Sequence, residues 1–328
     1  MNILELAQTN LLSPIVLCFV LGVAAVYIKS DLKFPDQVAG GLSIYLMLSI
    51  GLKGGVELSQ TPFSTFVGPL IAALGLCLAI PLWCYVILRK AGRLAAADAA
   101  ALAAHYGSVS AVTFVAVQTY LDAAGIRYEG FAPALLAVME VPAIVVALAI
   151  AKRAGAKAGA REGSAMDALK AVTASKSVLL LVGGLIIGAL AGPSGYAPVK
   201  PVFTDLFRGL LCLFLLDLGL QAGQRLKDFA KVGPFLVGFA IAMPLVHAGI
   251  AVLLSQLVGM SVGGTAIFAT LAASSSYIAA PAAVRLALPE ANPGYYLTAS
   301  LALTFPFNLM VGIPVYLAMA QWAAGSGG

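Results

Sequence analysis

Two short clusters of small hydroxyl residues interrupt otherwise apolar sequence, Tyr106-Gly107-Ser108-Val109-Ser110 and Ala273-Ser274-Ser275-Ser276-Tyr277. In hydrocarbon every backbone polar group needs an internal partner, so a helix loosened by glycine or serine survives only where it lines a protein-walled cavity. A helix that unwinds there leaves an N-terminal end with free N–H groups carrying about half a positive charge. Two such ends meeting at midplane favour a small anion. The hydroxyls of Ser108, Ser110, Ser275 and Ser276 add donors without a fixed charge, which suits a ligand that must bind and then leave. Pro281, in the turn after the second cluster, further weakens helical continuity. The competing reading is that small residues merely let helices pack closely. The recurrence of the cluster at corresponding places in the two halves of the chain favours a site.

Other reactive groups are sparse. A hydrolytic role for Ser274-Ser275-Ser276 would need a general base and an oxyanion hole, and the chain holds two histidines, His105 and His247. His105 stands two residues before the first cluster, but a single histidine in a helix bundle is ordinarily a hydrogen-bonded packing residue. The chain reads as a non-enzyme. Glu140, in Met139-Glu140-Val141-Pro142, and Asp217, two residues before Gly219, are carboxylates in apolar sequence, where they are costly unless paired or hydrated. Both are candidate proton or cation sites; the structural alternative is a buried hydrogen bond or ion pair, with Lys53 or Arg208 as partner. Asp98 reads as a helix cap. Cys18, Cys77, Cys84 and Cys212 lie in apolar runs without a CxxC, as small buried side chains rather than disulfides or metal ligands.

The elements that must position these residues span a membrane. Apolar residues make up 61% of the chain and charged residues 10%, against about 25% charged in an average soluble domain, and mean hydropathy is +0.99. At about 20 residues per span there is room for about ten helices and no sizeable soluble domain. Hydropathy predicts spans at 11–28, 37–57, 65–88, 97–121, 131–151, 177–192, 203–223, 233–256, 262–286 and 294–320. The first follows a region with Glu5 and no lysine or arginine, and reads as a span rather than a signal peptide. The net charge of +5 reflects basic loops that fix orientation, not nucleic-acid binding.

Those basic residues follow the third span (Arg89, Lys90, Arg93), the fifth (Lys152, Arg153, Lys157, Arg161, Lys170, Lys176) and the seventh (Arg225, Lys227, Lys231). The odd-numbered loops are therefore expected in the cytoplasm and both termini outside, in a bacterial plasma (inner) membrane among its lipids. Residues 152–176, rich in Ala, Gly, Ser and Lys, form a cytoplasmic linker between two repeats, 1–151 and 177–328, of five spans each. An odd number of spans per half inverts the second half relative to the first. The repeat shows where Ile50-Gly51-Leu52-Lys53-Gly54-Gly55-Val56-Glu57-Leu58 aligns with Leu218-Gly219-Leu220-Gln221-Ala222-Gly223-Gln224-Arg225-Leu226, and the same offset carries Gly107-Ser108 onto Ser275-Ser276.

At these residues the chain resembles the SbtA-type sodium-dependent bicarbonate transporter family nearly end to end. The resemblance runs through Ile50-Gly51-Leu52 with Gly54-Gly55, Tyr106 to Ser110, Ile126-Arg127-Tyr128-Glu129 and Met139-Glu140-Val141-Pro142-Ala143. It continues through Phe207-Arg208-Gly209-Leu210-Leu211, Pro244-Leu245 with His247, and the block from Ala272 to Pro293. It implies an all-α polytopic membrane protein with ten transmembrane helices in two inverted five-helix repeats and broken, crossing spans 4 and 9. Spans 1, 2, 6 and 7 would form a gate domain, and spans 3–5 and 8–10 a core domain. It further implies bicarbonate symport with Na+ by an elevator-like movement, a homotrimer, and a PII-like cytoplasmic regulator. Gly107, Ser108, Ser110, Ser274, Ser275 and Ser276 would then surround the anion. No cofactor beyond a coupling Na+ is implied.

One departure bears on coupling. The family pattern follows the triple serine with an aspartate and Ile-Ser-Gly-Pro, whereas this chain has Tyr277-Ile278-Ala279-Ala280-Pro281. A hard cation wants oxygen ligands, and a neutral phenol is a poor replacement for a carboxylate. Tyr277, Glu140 and Asp217 are thus the candidate cation- or proton-coupling residues. Two other readings stay open: transport of another small organic monoanion with proton or no coupling, and a non-transporting membrane sensor on the same fold.

Overall fold

A computed structural model describes residue 8 and residues 10–154, 170–171, 173–226 and 229–326. Glu5, Lys157, Arg161, Lys227 and most of the expected 152–176 linker lie outside the described residues. The described chain folds into helices α1 (Pro14–Tyr27), α2 (Asp36–Ser59), α3 (Phe63–Lys90), α4 (Ala96–Gly107), α5 (Ala111–Ala123), α6 (Ala132–Glu140) and α7 (Pro142–Arg153). After the linker come α8 (Lys176–Tyr196), α9 (Phe207–Leu226), α10 (Phe229–Leu257), α11 (Val262–Ala273) and α12 (Ala279–Ala287). The last segment, α13 (Pro293–Gly325), widens into π-type turns at Thr298–Thr304 and Asn308–Gly312. No strand occurs among the described residues.

Among the described residues, seven helical segments are long and apolar enough to cross a membrane, against the ten spans expected. The shortfall has local causes. Helix α1 runs 14 residues and α11 runs 12, each short of a full crossing. Helix α9 has the length, but Arg208, Asp217, Gln221 and Arg225 dilute its hydropathy. Every expected span nevertheless coincides with a described helix or a pair of helices.

Two helix pairs pack backbone to backbone, α2 on α8 and α1 on α9. The repeat block of the sequence supplies the contact in both. A Cβ at Gly51 would lie 2.6 Å from the Leu181 carbonyl oxygen, and one at its repeat mate Gly219 would lie 2.1 Å from that of Phe19. Small residues let helices approach closely where lipid offers no hydrophobic drive to associate. The remaining helices gather around α4 and α11. Helix α4 packs on α3 and α7, and α11 packs on α10 and α13. Ala99, Ala100, Ala101, Ala103 and Ala104 are buried on all sides of α4, as expected of a helix that is apolar all round.

The start of each buried helix is tied to a loop of the other half. Ser261 caps α11 through the Gly264 amide (3.1 Å), and the Glu129 carboxylate accepts from the Ser261 amide (2.6 Å) and hydroxyl (2.9 Å). In the first turn of α4, Asp98 accepts from the Asn292 amide at 2.7 Å. Asp98 therefore does not cap its own helix, whose N-cap residue is Ala95 with no side-chain bond. It binds a distant loop instead.

Candidate functional site

Helix α4 stops at Gly107, where the chain crosses α3 and α7 so closely that a Cβ would meet Pro81 Cγ at 2.5 Å and Ala143 Cβ at 2.8 Å. Ser108 then turns extended (φ −89°, ψ 164°). Ser110 is the N-cap of α5, its hydroxyl oxygen accepting from the Thr113 amide at 3.2 Å. The second break mirrors this. Helix α11 ends at Ala273, Ser274 is extended (φ −75°, ψ 168°), and α12 begins after Ile278 with the Ala280 amide donating to Ser276 Oγ at 3.1 Å.

The two breaks touch. The Ser110 amide donates to Ser274 Oγ at 2.9 Å, and the Ser276 amide donates to the His105 carbonyl at 2.8 Å. Ser108, Ser110, Ser274, Ser275 and Ser276 are all exposed by 4% or less. The structure thus brings together all six residues expected around the anion.

Their donors are distributed differently from expectation. Ser108 Oγ donates to the Glu140 carbonyl (2.7 Å), Ser274 Oγ to the Leu271 carbonyl (2.8 Å) and Ser275 Oγ to the Ser300 carbonyl (3.4 Å). These three hydroxyl protons are given to backbone carbonyls of the surrounding helices. Amides at the start of α5 are among the donors left over. Thr113 is taken by Ser110, and Ala111 and Val112, in the first turn, have no intrahelical acceptor.

Glu140 ends α6, where Pro142 has no N–H to continue the helix. Its side chain is 5% exposed and Oε2 has no hydrogen-bond partner among the described residues, while its carbonyl holds Ser108. Tyr277 lies in the second break itself. Its ring meets Phe305 edge to face at 5.2 Å, and Phe305 in turn meets Phe19 of α1 at 5.3 Å. The buried Tyr277 hydroxyl, beside the Ser110 side chain, also makes no hydrogen bond that meets normal geometry among the described residues.

Asp217 stands apart, its carboxylate accepting from Gln221 one turn along α9 at 2.8 Å. Neither Lys53 nor Arg208 pairs with Glu140 or Asp217. Lys53 meets Glu57 at 3.8 Å and Arg208 meets Asp122 at 3.4 Å, and both cations line the cavity beside α5. His105 donates from Nδ1 to the Ala101 carbonyl (2.6 Å) and stacks on Tyr296. His247 accepts from Trp83 Nε1 at 2.9 Å, with Cys84 beside it. Both histidines are packing residues by their contacts. All four cysteines are free thiols.

The sequence reading missed Asn308 and Thr304 on α13. Asn308 Nδ2 donates to the Ala273 carbonyl at the end of α11 (2.9 Å) and its Oδ1 accepts from Tyr316 (2.6 Å). Tyr106 and Thr304 share a hydrogen bond of 2.7 Å, and Thr304 passes its own proton to the Ala240 carbonyl. A signal was present for Asn308, since the offset that carries Gly107 onto Ser275 also carries Glu140 onto Asn308.

A cavity of about 380 Å³ opens beside α5, lined by Ser49, Lys53, Val115, Thr119, Asp122 and Arg208 among others. Val115 is four residues past Ala111, so the cavity begins about 6 Å along the helix from the first break. At its rim Tyr128 donates to Asp122 at 3.1 Å. Burial, and then the Asp122 charge, pushes that phenol well above its usual range, so it stays a donor at physiological pH.

The family model described as the Na+-dependent bicarbonate transporter superfamily matches residues 14–321. No curated protein matches the chain.

Proposed function

Since the chain belongs to the Na+-dependent bicarbonate transporter superfamily, a family of multi-pass membrane transporters, we propose that it is a secondary transporter that carries bicarbonate, bound where the two broken helices cross. The observation that carries this reading is the pair of reciprocal bonds between the breaks, Ser110 to Ser274 and Ser276 to His105. They hold the N-terminal end of α5, an electropositive end, against the serine run of the other half.

The packing supports ten spans in two inverted halves, 1–151 and 177–328, with spans 4 and 9 broken into α4/α5 and α11/α12. Contacts in one half recur in the other: α2 on α8 answers α9 on α1, and α3 on α4 answers α10 on α11. A gate of α1, α2, α8 and α9 and a core of α3–α7 with α10–α13 belong to this reading, supported by the dense α2–α8 and α1–α9 packing. The Glu129–Ser261 and Asp98–Asn292 ties make the core one body, able to slide past the gate as an elevator. The cavity beside α5 lies between the two bodies and is the approach to the site. In this reading the basic residues Arg89, Lys90, Lys152 and Arg153 face the cytoplasm and both termini the outside of an inner membrane. A homotrimer and a PII-like regulator belong to it through the resemblance alone.

The coupling ion is a cargo of the cycle. No group of three or more His, Cys, Asp or Glu suited to a metal ion exists among the described residues. A sodium ion would rely on serine and carbonyl oxygens with Glu140. A second reading, proton coupling at Glu140, is favoured by one observation: position 277 offers a phenol in place of a carboxylate, leaving Glu140 Oε2 as the unpartnered acid oxygen at the breaks.

Uptake of labelled bicarbonate into proteoliposomes, under a sodium gradient, a pH gradient or neither, tests the proposal. Accumulation under one gradient supports transport and identifies the ion. Binding without flux under any condition would make the protein a sensor, and uptake of formate or acetate in preference to bicarbonate would reassign the substrate.

A further inference from the structure

The Tyr277 hydroxyl is a buried polar group that the fold itself does not use. Its residue is 9% exposed, and the oxygen has no hydrogen-bond partner among the described residues. Its position is nevertheless fixed, because the ring is held edge to face on Phe305 and by the backbone bond of its neighbour Ser276 to His105. Beside it stands the side chain of Ser110, the N-cap of α5. Ser110 Oγ accepts from the Thr113 amide and the Ser110 amide donates to Ser274, so the Ser110 hydroxyl proton can be turned to the phenol oxygen while the phenol's own proton stays without an acceptor. A buried hydroxyl left without a partner costs free energy that a ligand oxygen would return.

The second half of the argument is the helix end itself. Helix α5 has 13 residues, and its first amides, Ala111 and Val112, have no intrahelical acceptor. An anion is favoured at such an end. With the hydroxyls of Ser108, Ser274 and Ser275 turned onto carbonyls, the phenol and these amides are donors that remain available to it.

We propose that the Tyr277 hydroxyl is a specificity-determining donor, binding one oxygen of a planar monoanion whose other oxygen rests on the Ala111 and Val112 amides. This rests on the reading of the crossing as the bicarbonate site. All the donors named are neutral, so the site suits a single charge; a dianion would bring a second charge into a buried place with nothing to balance it. Two separated donors require two oxygens on one ligand, which bicarbonate and formate have and chloride lacks.

The test is Tyr277→Phe in the full-length protein, reconstituted for uptake and measured in detergent for the rise in Tm on adding bicarbonate or formate. The expected result is a KM for bicarbonate raised about tenfold with the maximal rate within about twofold, the pattern of a lost binding interaction. The ligand-induced rise in Tm should shrink for both anions, while the Tm of the ligand-free protein stays level or increases, because an orphaned hydroxyl has been removed. Ala111→Pro is the second variant. It deletes one amide at a helix position where proline is tolerated, after a residue with the extended backbone proline prefers (Ser110 φ −111°, ψ 115°), and should also raise KM about tenfold.

An unchanged KM in Tyr277→Phe alongside a normal bicarbonate-induced rise in Tm would overturn the proposal and leave bicarbonate transport standing. So would a Tyr277→Phe protein that fails to fold while Ala111→Pro keeps the wild-type KM. A wild-type protein that neither transports bicarbonate nor gains Tm with it would overturn the underlying reading as well.

Discussion

The amide of Ser110 donates to the side-chain oxygen of Ser274 at 2.9 Å, joining two residues 164 positions apart at the point where both helices have stopped. Ser274 passes its own hydroxyl proton to the Leu271 carbonyl at 2.8 Å, so one side chain holds both broken ends. Ser274→Ala preserves the volume and removes both bonds. A buried amide left unsatisfied costs about 1–3 kcal/mol. The variant should lose that much stability in thermal or denaturant unfolding and lose most of its uptake; wild-type values for both would show that the contact does not hold the crossing.

Asn308 plays the matching part at the end of α11, where it donates to the Ala273 carbonyl and accepts from Tyr316. Asn308→Ala strands both partners in a buried place and should cost about 1–3 kcal/mol, read as a lower Tm. Tyr316→Phe removes one of the two bonds and should cost less. Equal effects would mean that the Ala273 bond contributes little.

Which parts of this were legible in the sequence follows from the range of the signal. The serine clusters, the repeat glycines at 51 and 219 and the proline after Glu140 act through local backbone chemistry, and each marks a real interruption or close approach in the structure. Side-chain partnership was less legible. Asp98 reads locally as a cap, yet binds Asn292, 194 positions away, and nothing near Asp98 in the chain announces that. The serines were expected as anion donors, but backbone carbonyls take the protons of Ser108 and Ser275 first. Hydropathy also undercounted polar need in α13, because its π-type turns place Thr304 and Asn308 against α10 and α11 without a charged residue to flag them.

Gly219 should tolerate no side chain. A Cβ there would lie 2.1 Å from the Phe19 carbonyl oxygen, whereas one at Gly183 on α8 would meet nothing within 4 Å. Gly219→Ala should force α1 and α9 apart at a cost of about 1–3 kcal/mol, with uptake falling in parallel. Gly183→Ala should be neutral or stabilise by about 0.5–1 kcal/mol, since alanine is the better helix former. The pair of unfolding curves checks this, and similar Tm values for the two variants would contradict the close packing of the α1–α9 seam.

Arg208 and Asp122 meet at 3.4 Å with side chains 57% and 38% exposed, a length and setting in which an ion pair contributes about 0–1 kcal/mol. Asp122→Asn should therefore leave Tm within about 2 °C. Helices α5 and α9 fall on opposite sides of the proposed boundary between core and gate, so the proposed elevator movement would break the pair in each cycle. The maximal uptake rate should hold or rise in Asp122→Asn, with the difference shrinking in high salt as the charges are screened. A large fall in Tm would make the pair a structural bond and count against relative movement there.

A substitution at Glu140 tests coupling apart from transport. Its carbonyl holds Ser108 at 2.7 Å, and its Oε2 is buried without a partner, so the backbone positions the break while the carboxyl group is left for an ion. Glu140→Gln keeps the backbone bond and nearly the same shape but can neither take up a proton nor carry charge. If this group binds the coupling ion, the variant should equilibrate labelled bicarbonate across the membrane yet fail to accumulate it under a sodium or a pH gradient. Its Tm should hold or rise, since a neutral amide is cheaper to bury than a carboxylate. Accumulation at the wild-type level would place the coupling ion elsewhere, and loss of equilibration together with accumulation would make Glu140 part of the anion site.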